Sequence, residues 1–265
     1  MHDKIVAVLH ELEQQQDFKI LFAAESGSRA WGFASPDSDY DVRVIYVKPE
    51  TWYWSLDTKR PDSFNAMLPG DLDISAWELR KTLRLFAGCN PSLNEWLGSP
   101  IIYYADPKFA DEMRSLIPVY FNPVRTVHHY LALSAKALED RQPDRTIAVK
   151  KLFYALRGLL AAMWTVEARN MPPTPFAELL KPEYVPAEIL DEISRLQEIK
   201  ARSDEKSRIP FPEILSDFFT KERENLLHDI SGFSTGQTSW KPLDTLFYET
   251  VRRLTKQKDY REMST

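Results

Sequence analysis

The chain has a single cysteine, Cys89, among 265 residues, so no internal disulfide can form. No cluster of Cys and His has zinc-finger spacing, which excludes that kind of structural metal module. Long hydrophobic runs are missing as well. The most apolar stretch, residues 159–164, is far too short to span a bilayer. The opening Met1-His2-Asp3-Lys4 lacks the basic and apolar regions of a signal peptide, and a cytoplasmic protein is expected. Basic charge is in deficit too: the net charge is −5 and the pI about 5.7. That argues against a surface coated for non-specific nucleic-acid binding, while leaving room for a local basic cleft. Repeats, low-complexity segments and recognised RNA-binding modules are absent.

What remains is a globular composition. With 43% hydrophobic and 28% charged residues, the chain can bury a sizeable core, and it is long enough for two modest domains. Ile5, Val6, Leu9 and Leu12 share one helical face, so a helix opens the chain. Residues 18–24 (FKILFAA) predict a buried strand and residues 40–47 (YDVRVIYV) a second. Residues 48–70 hold three aromatics at Trp52, Tyr53 and Trp54, then a polar, proline-bounded loop. Residues 71–76 predict a third strand and 77–87 a helix, and residues 101–104 a short strand or connector. From about Asp106 the pattern is helical, with Pro118 and Pro123 bracketing an expected hinge. Strands early and helices late predict an α+β fold, with a small mixed sheet packed on helices over 1–117 and an all-helical domain over 118–265.

The chemistry-bearing stretch begins at Glu25-Ser26-Gly27-Ser28-Arg29. A strand ends, a Gly-Ser pair turns, and residues 29–38 separate Ser28 from Asp39. Asp39 and Asp41 then stand two apart at the start of the next strand, where period-two geometry puts both carboxylates on one face. Like charges that close repel unless a cation lies between them, and hard oxygen ligands beside phosphates suit Mg²⁺. Gly27 lets a backbone approach a phosphate without a Cβ in the way, and Ser28 adds a hydroxyl and an amide N–H at the start of a helical turn. A third acid, Asp73, is flanked by Leu72 and Ile74 in a strand. If that strand neighbours residues 40–47, its carboxylate completes a two-metal cluster for displacement at phosphorus. Asp71 is the rival, since it would point to the same strand face; Asp73 is preferred because Asp71 follows a loop.

Gly27-Ser28, then Asp39-Tyr40-Asp41, then an apolar-flanked Asp73 resembles the signature of the DNA polymerase beta nucleotidyltransferase superfamily. Within it, the stretch from Glu25 to Gly32 and the run Ser38-Asp39-Tyr40-Asp41-Val42-Arg43 are similar to a bacterial and phage family associated with RNA repair. Glu78-Leu79-Arg80-Lys81, Asn90-Pro91, Glu95-Trp96-Leu97 and the helix from Lys150 to Arg157 extend the likeness. The resemblance covers the first two-thirds of the chain well and the final helices loosely. It implies an NTP substrate, two Mg²⁺ or Mn²⁺ ions, release of pyrophosphate, and attack on the α-phosphorus by an acceptor hydroxyl. It implies that Gly27 and Ser28 hold the β- and γ-phosphates, that Asp39 and Asp41 ligate both metals, and that Asp73 ligates the catalytic one and helps deprotonate the nucleophile. The insertion between the second and third acids, residues 51–68, departs from the family pattern.

Lys150, Tyr154 and Arg157 fall at helical spacing on one face, with Lys151 beside it, and such a face suits triphosphate binding and base stacking. The bland alternative is a solvated face with packed aliphatic stems. Arg29 lies where it can contact phosphate, and Arg43 where it balances Asp39 and Asp41. Arg80 and Lys81 begin a helix, against its dipole, which leaves an opening for an anionic partner. The adjacent His128 and His129 point in different directions and are read as structural. The acceptor favoured by the resemblance is an RNA 3′ end, of tRNA or another RNA. A protein side chain or small molecule, or a nucleotide-binding module without turnover, are the other readings, and no membrane partner is expected.

Overall fold

The structure is a computed structural model describing residues 1–57, 59–204, 206–233 and 238–262, with side chains described as far as Leu254. In chain order, α1 (His2–Gln16) and β1 (Lys19–Glu25) are followed by α2 (Gly27–Trp31), β2 (Tyr40–Val47) and α3 (Glu50–Tyr53). Next come β3 (Ser63–Leu68), β4 (Leu72–Glu78), α4 (Leu79–Ala87), α5 (Pro91–Leu97) and β5 (Ile102–Ala105). The helical portion is α6 (Pro107–Tyr120), α7 (Pro123–Leu138), then a short strand β6 (Thr146–Ala148) leading into α8 (Val149–Ala168). After it come α9 (Phe176–Leu179), α10 (Ala187–Ala201), β7 (Arg208–Pro210), α11 (Glu213–Asp229) and α12 (Lys241–Glu262). The expected α+β class is what the chain adopts, with one five-stranded mixed sheet carrying the early strands.

Contacts divide these elements into two compact units. The first comprises residues 1–26, 39–120 and 237–265; the second comprises 27–38 and 121–236. A single cut between 117 and 118 is expected; the contacts change unit at 26/27, 38/39, 120/121 and 236/237. Residues 27–38 cluster with the helical body because Phe33 packs among Phe153 and Phe176. The last helix clusters with the sheet because Leu243, Leu246 and Val251 join the core of Leu83, Phe86 and Phe109. Arg253 adds a two-pronged ion pair to Asp106, each oxygen accepting from the guanidinium at 2.8 Å. Burial pushes the Asp106 carboxyl up, but the arginine fork and the Phe109 amide outweigh it and hold the group below the usual carboxylate value.

The first unit is built around the sheet, in the order β3-β4-β2-β1-β5. β1 pairs antiparallel with β2 and β5, β2 parallel with β4, and β3 antiparallel with β4. Alternation assigns the faces. Val42, Val44 and Tyr46 of β2 and Leu72, Ile74 and Ala76 of β4 bury against Ile5 and Leu9 of α1. The opposite face holds Asp41, Arg43, Ile45 and Val47 of β2. Its apolar end, Ile45 and Val47, packs with Leu79, Leu83 and Phe86 of α4 and Trp96 of α5. Its other end is charged.

One expectation is corrected. Residues 48–70 are not simply a loop: they carry α3 and the edge strand β3, which forms a hairpin with β4 through Pro69-Gly70-Asp71. Gly70 and Asp71 both take the left-handed conformation that closes this turn, at φ 87° and 55°. Thr58, within that insertion, lies outside the described residues. Pro118 sits in the last turn of α6, and the break between α6 and α7 falls at residues 121–122, between Pro118 and Pro123.

The second unit is helical. α7 and α8 pack along their lengths, and α8 is buried on nearly all sides, with fourteen of its twenty residues in the core. Gly158 allows that packing: a Cβ there would lie 2.7 Å from the Tyr130 carbonyl and 2.9 Å from the Ser134 amide. β6 and β7 form a two-stranded sheet of this unit. Among the described residues, no helix is long and apolar enough to cross a membrane.

Candidate active site

The charged end of the sheet is built by strand register. In the parallel pairing of β2 with β4, Asp41 stands directly opposite Asp73 and Arg43 opposite Ser75. The Arg43 guanidinium donates 2.6 Å to Asp41 Oδ1 and 2.9 Å to Asp73 Oδ2. One cation thus holds two carboxylates that would otherwise repel across adjacent strands. The side chains stay accessible, at 17% for Arg43, 26% for Asp41 and 30% for Asp73. Asp39 is exposed, one residue before β2 begins. Among the described residues, no three His, Cys, Asp or Glu side chains converge into a metal-holding group; two converge, and on an arginine.

Asp71, the rival to Asp73, precedes β4 in the left-handed turn, exposed. Its carbonyl accepts from the Tyr40 amide at 2.8 Å, so its backbone anchors the start of β2. Only Asp73 lies opposite Asp41.

A residue that sequence reasoning quoted without a role proves central to this end of the sheet. Glu25 is fully buried, and its Oε1 accepts from the Asp41 amide at 2.8 Å while Oε2 accepts from the Tyr103 hydroxyl. The Ser26 amide donates to the Asp41 carbonyl at 2.8 Å. Asp41 is therefore clamped at both backbone groups by the end of β1. A charged residue closing the apolar run Ile20 to Ala24 was the available signal, because a buried carboxylate must find donors.

The remaining predicted residues belong to the second unit. Gly27 opens α2 at φ 61°, a conformation that strains any residue with a Cβ. Ser28 is buried, and its carbonyl accepts from the amides of Gly32 and Phe33. Arg29 donates to the Ser38 carbonyl at 2.6 Å, closing the segment on itself. Buried Lys200 donates to Ser35 Oγ, tying the segment to α10. Trp31 ties it to α8: its ring meets Tyr154 edge-on at 4.9 Å and lies 4.4 Å from the Arg157 guanidinium.

The expected basic face of α8 is therefore split. Lys151 is exposed and Lys150 half-buried, with the Lys151 ammonium 5.9 Å from the Tyr154 ring. Arg157 is only 2% exposed, donates to the Thr174 carbonyl at 3.2 Å, and lies beneath Trp31. Tyr154 and Arg157 hold the Gly27–Ser38 segment from below. His129 packs edge-on against Tyr130, in keeping with a structural residue.

A family model described as the RNA repair pathway DNA polymerase beta family (RlaP) matches residues 1–249. The chain belongs to that family. It is thus a nucleotidyltransferase-type protein of the DNA polymerase beta class. It is also 39% identical over 227 residues to the uncharacterised protein YcgL of Bacillus subtilis (strain 168), a match covering 86% of this chain and 87% of that one. Among solved structures, a nucleotidyltransferase-like protein from Exiguobacterium sibiricum 255-15 aligns over 87% of this chain and 79% of that one, at 12% identity and a TM-score of 0.32. Nucleotidyltransferases of this family generally use an NTP and a divalent metal.

Proposed function

We propose that this RlaP-family protein transfers a nucleoside monophosphate from an NTP to an acceptor hydroxyl, and that the acceptor is the 3′ end of an RNA. The observation that carries the reading is the pairing of Asp41 with Asp73 across β2 and β4, both turned to one cation. Carboxylates that share a guanidinium present the oxygen donors a hard divalent ion requires. Asp39, Asp41 and Asp73 would hold two Mg²⁺ or Mn²⁺ ions, with Arg43 withdrawing from the two it now bridges. Metal bound there supplies charge neutralisation at the α-phosphate and acidifies the attacking hydroxyl.

The chain's own groups do the rest. Asp73 accepts the proton of the acceptor hydroxyl as the new P–O bond forms and the bond to pyrophosphate breaks. Glu25 keeps the Asp41 backbone fixed while this happens. Gly27 and Ser28 receive the β- and γ-phosphates, helped by Arg29, Lys150 and Lys151. Tyr154 and Arg157, assigned to the nucleotide by resemblance, serve it through Trp31, which they support. The RNA acceptor rests on the family's association with RNA repair.

The test is incubation of the protein with each α-labelled NTP, Mg²⁺ or Mn²⁺, and a mixture of RNA, protein and metabolites. Label in RNA is the expected result. Label in protein or a small molecule would overturn the acceptor. Bound NTP with no transfer to any fraction would overturn the transferase reading in favour of a nucleotide-binding module.

A further inference from the structure

Beyond the end of β4, the first unit carries a second concentration of chemistry that the acids do not use. Glu78 ends the strand and caps α4, its Oε2 accepting from the Arg80 amide at 2.8 Å and the Lys81 amide at 3.3 Å. The Tyr53 hydroxyl donates to its other oxygen, which pins that ring. Tyr53 and Phe247 then meet edge-on at 5.0 Å, and the Arg80 guanidinium lies 5.0 Å from the first ring and 5.5 Å from the second. Among the described residues, none of the guanidinium N–H groups of Arg80 is in a hydrogen bond or ion pair. Arg84, one helical turn on, is exposed and equally without an ion pair. Both arginines line a surface cavity of about 350 Å³ with Phe247, Asp244 and Trp240, whose indole is 53% exposed.

Several of these features suit an anionic, aromatic ligand. Two arginines lie on α4, Arg80 in its first turn, where the dipole disfavours cations. A guanidinium stacked on rings is pre-organised, its in-plane donors free to grip a phosphate in bidentate fashion. An indole half in solvent beside it offers a face to a base. The lining holds two guanidinium groups against one carboxylate, and Asp244 can accept from the exocyclic amine of a base. The cavity is of the size that takes a single nucleotide unit rather than a folded partner.

We infer that this pocket, built by Arg80, Arg84, Trp240 and Phe247, binds one nucleotide of a single-stranded RNA acceptor upstream of its reacting 3′ end. The inference rests on the transfer reading above. α4 packs on the sheet face that carries Asp41 and Asp73. From Asp73 to Glu78 the strand covers roughly 17 Å at its usual rise per residue. A few nucleotides of extended strand bridge that interval. The pocket thus grips the acceptor chiefly by phosphate and stacking.

The test is fluorescence anisotropy of a 5′-labelled single-stranded RNA titrated with the full chain, beside binding of a fluorescent NTP. Arg84→Ala and Trp240→Ala should each weaken RNA binding about tenfold and leave NTP binding unchanged. Arg84→Ala should also lower the slope of log affinity against log salt by about 0.7, while Trp240→Ala leaves it alone. RNA affinity at the wild-type level in both variants would overturn the pocket while leaving the transfer reading intact. Displacement of RNA by polyglutamate at equal charge would overturn the nucleotide assignment in favour of a general polyanion surface. A wild-type chain that neither binds nor labels RNA would remove the pocket and the RNA acceptor together, with transfer to other acceptors still measurable.

Discussion

In the first unit, Asp41, Arg43 and Asp73 lie in a row on a sheet face, between a sixth and a third exposed, with Arg43 paired to both acids across two strands. In the second unit, Arg157 is 2% exposed and spends its charge on a carbonyl and on the ring of Trp31. Both sets of residues lie within the stretch that the family model matches, yet one is poised to exchange partners and the other is built in. Moving Arg43 costs an ion pair at a partly wet surface, for which water or a metal ion substitutes. Moving Arg157 would leave a guanidinium buried without compensation, which is several-fold more expensive. The sheet end is therefore where charge can change hands, and the helical body is where residues 27–38 are kept in shape.

The largest expected effect separates the two candidates for the third acid. Asp73→Asn should slow transfer on the order of 10²-fold or more while NTP still binds, whereas Asp71→Asn should transfer at close to the wild-type rate. Single-turnover measurements on both decide it, and the reverse pattern would move the acid to the turn. On the other side of the comparison, Gly158→Ala drives a methyl group into the Tyr130 carbonyl and Ser134 amide, so thermal or urea unfolding should show a loss of about 1–3 kcal/mol. Unchanged stability would mean the α7–α8 contact yields more readily than described.

A subtler experiment exploits Arg43. Its replacement by Ala removes the cation that Asp41 and Asp73 share, and stability should fall by about 1 kcal/mol. Saturating Mn²⁺ should recover more stability in Arg43→Ala than it adds to wild type. Equal metal effects on both chains would show that the carboxylates do not share an ion. The smallest effect concerns Asp106. Its folded pKa is depressed, so its contribution is present above the unfolded value of about 3.9 and is lost as pH falls through the folded one. Arg253→Ala should flatten the acid limb of a stability–pH curve in that window and leave its slope near neutrality alone.

How much of this could be read from the chain depended on how local the cause was. β2 could be placed at residues 40–47 because alternation is a property of the strand itself, and the facing of Asp41 and Arg43 came with it. The choice of Asp73 over Asp71 required a register, which the Pro69-Gly70-Asp71 turn sets. That turn, between the alternating runs at 63–68 and 72–78, was the sign of a hairpin that a reading of 48–70 as a loop passed over. The burial of Arg157 was not legible for another reason. Spacing says which residues share a helical face, but not which positions along it the rest of the fold covers: Lys151 is exposed and Arg157 buried. The return of α12 to the sheet unit depends on contacts between segments more than a hundred residues apart, such as Arg253 with Asp106, and no local pattern encodes them.

The account stands most directly on Asp41, the acid held by the buried Glu25, bridged by Arg43 and set opposite Asp73. The measurement is the single-turnover rate of pyrophosphate release from an NTP, with Mn²⁺ and an RNA acceptor, for wild type and Asp41→Asn at matched folded fraction. The rate should fall on the order of 10²-fold or more in the variant, with its unfolding transition still cooperative. Release at the wild-type rate from folded Asp41→Asn would contradict the placement of the reaction at this end of the sheet.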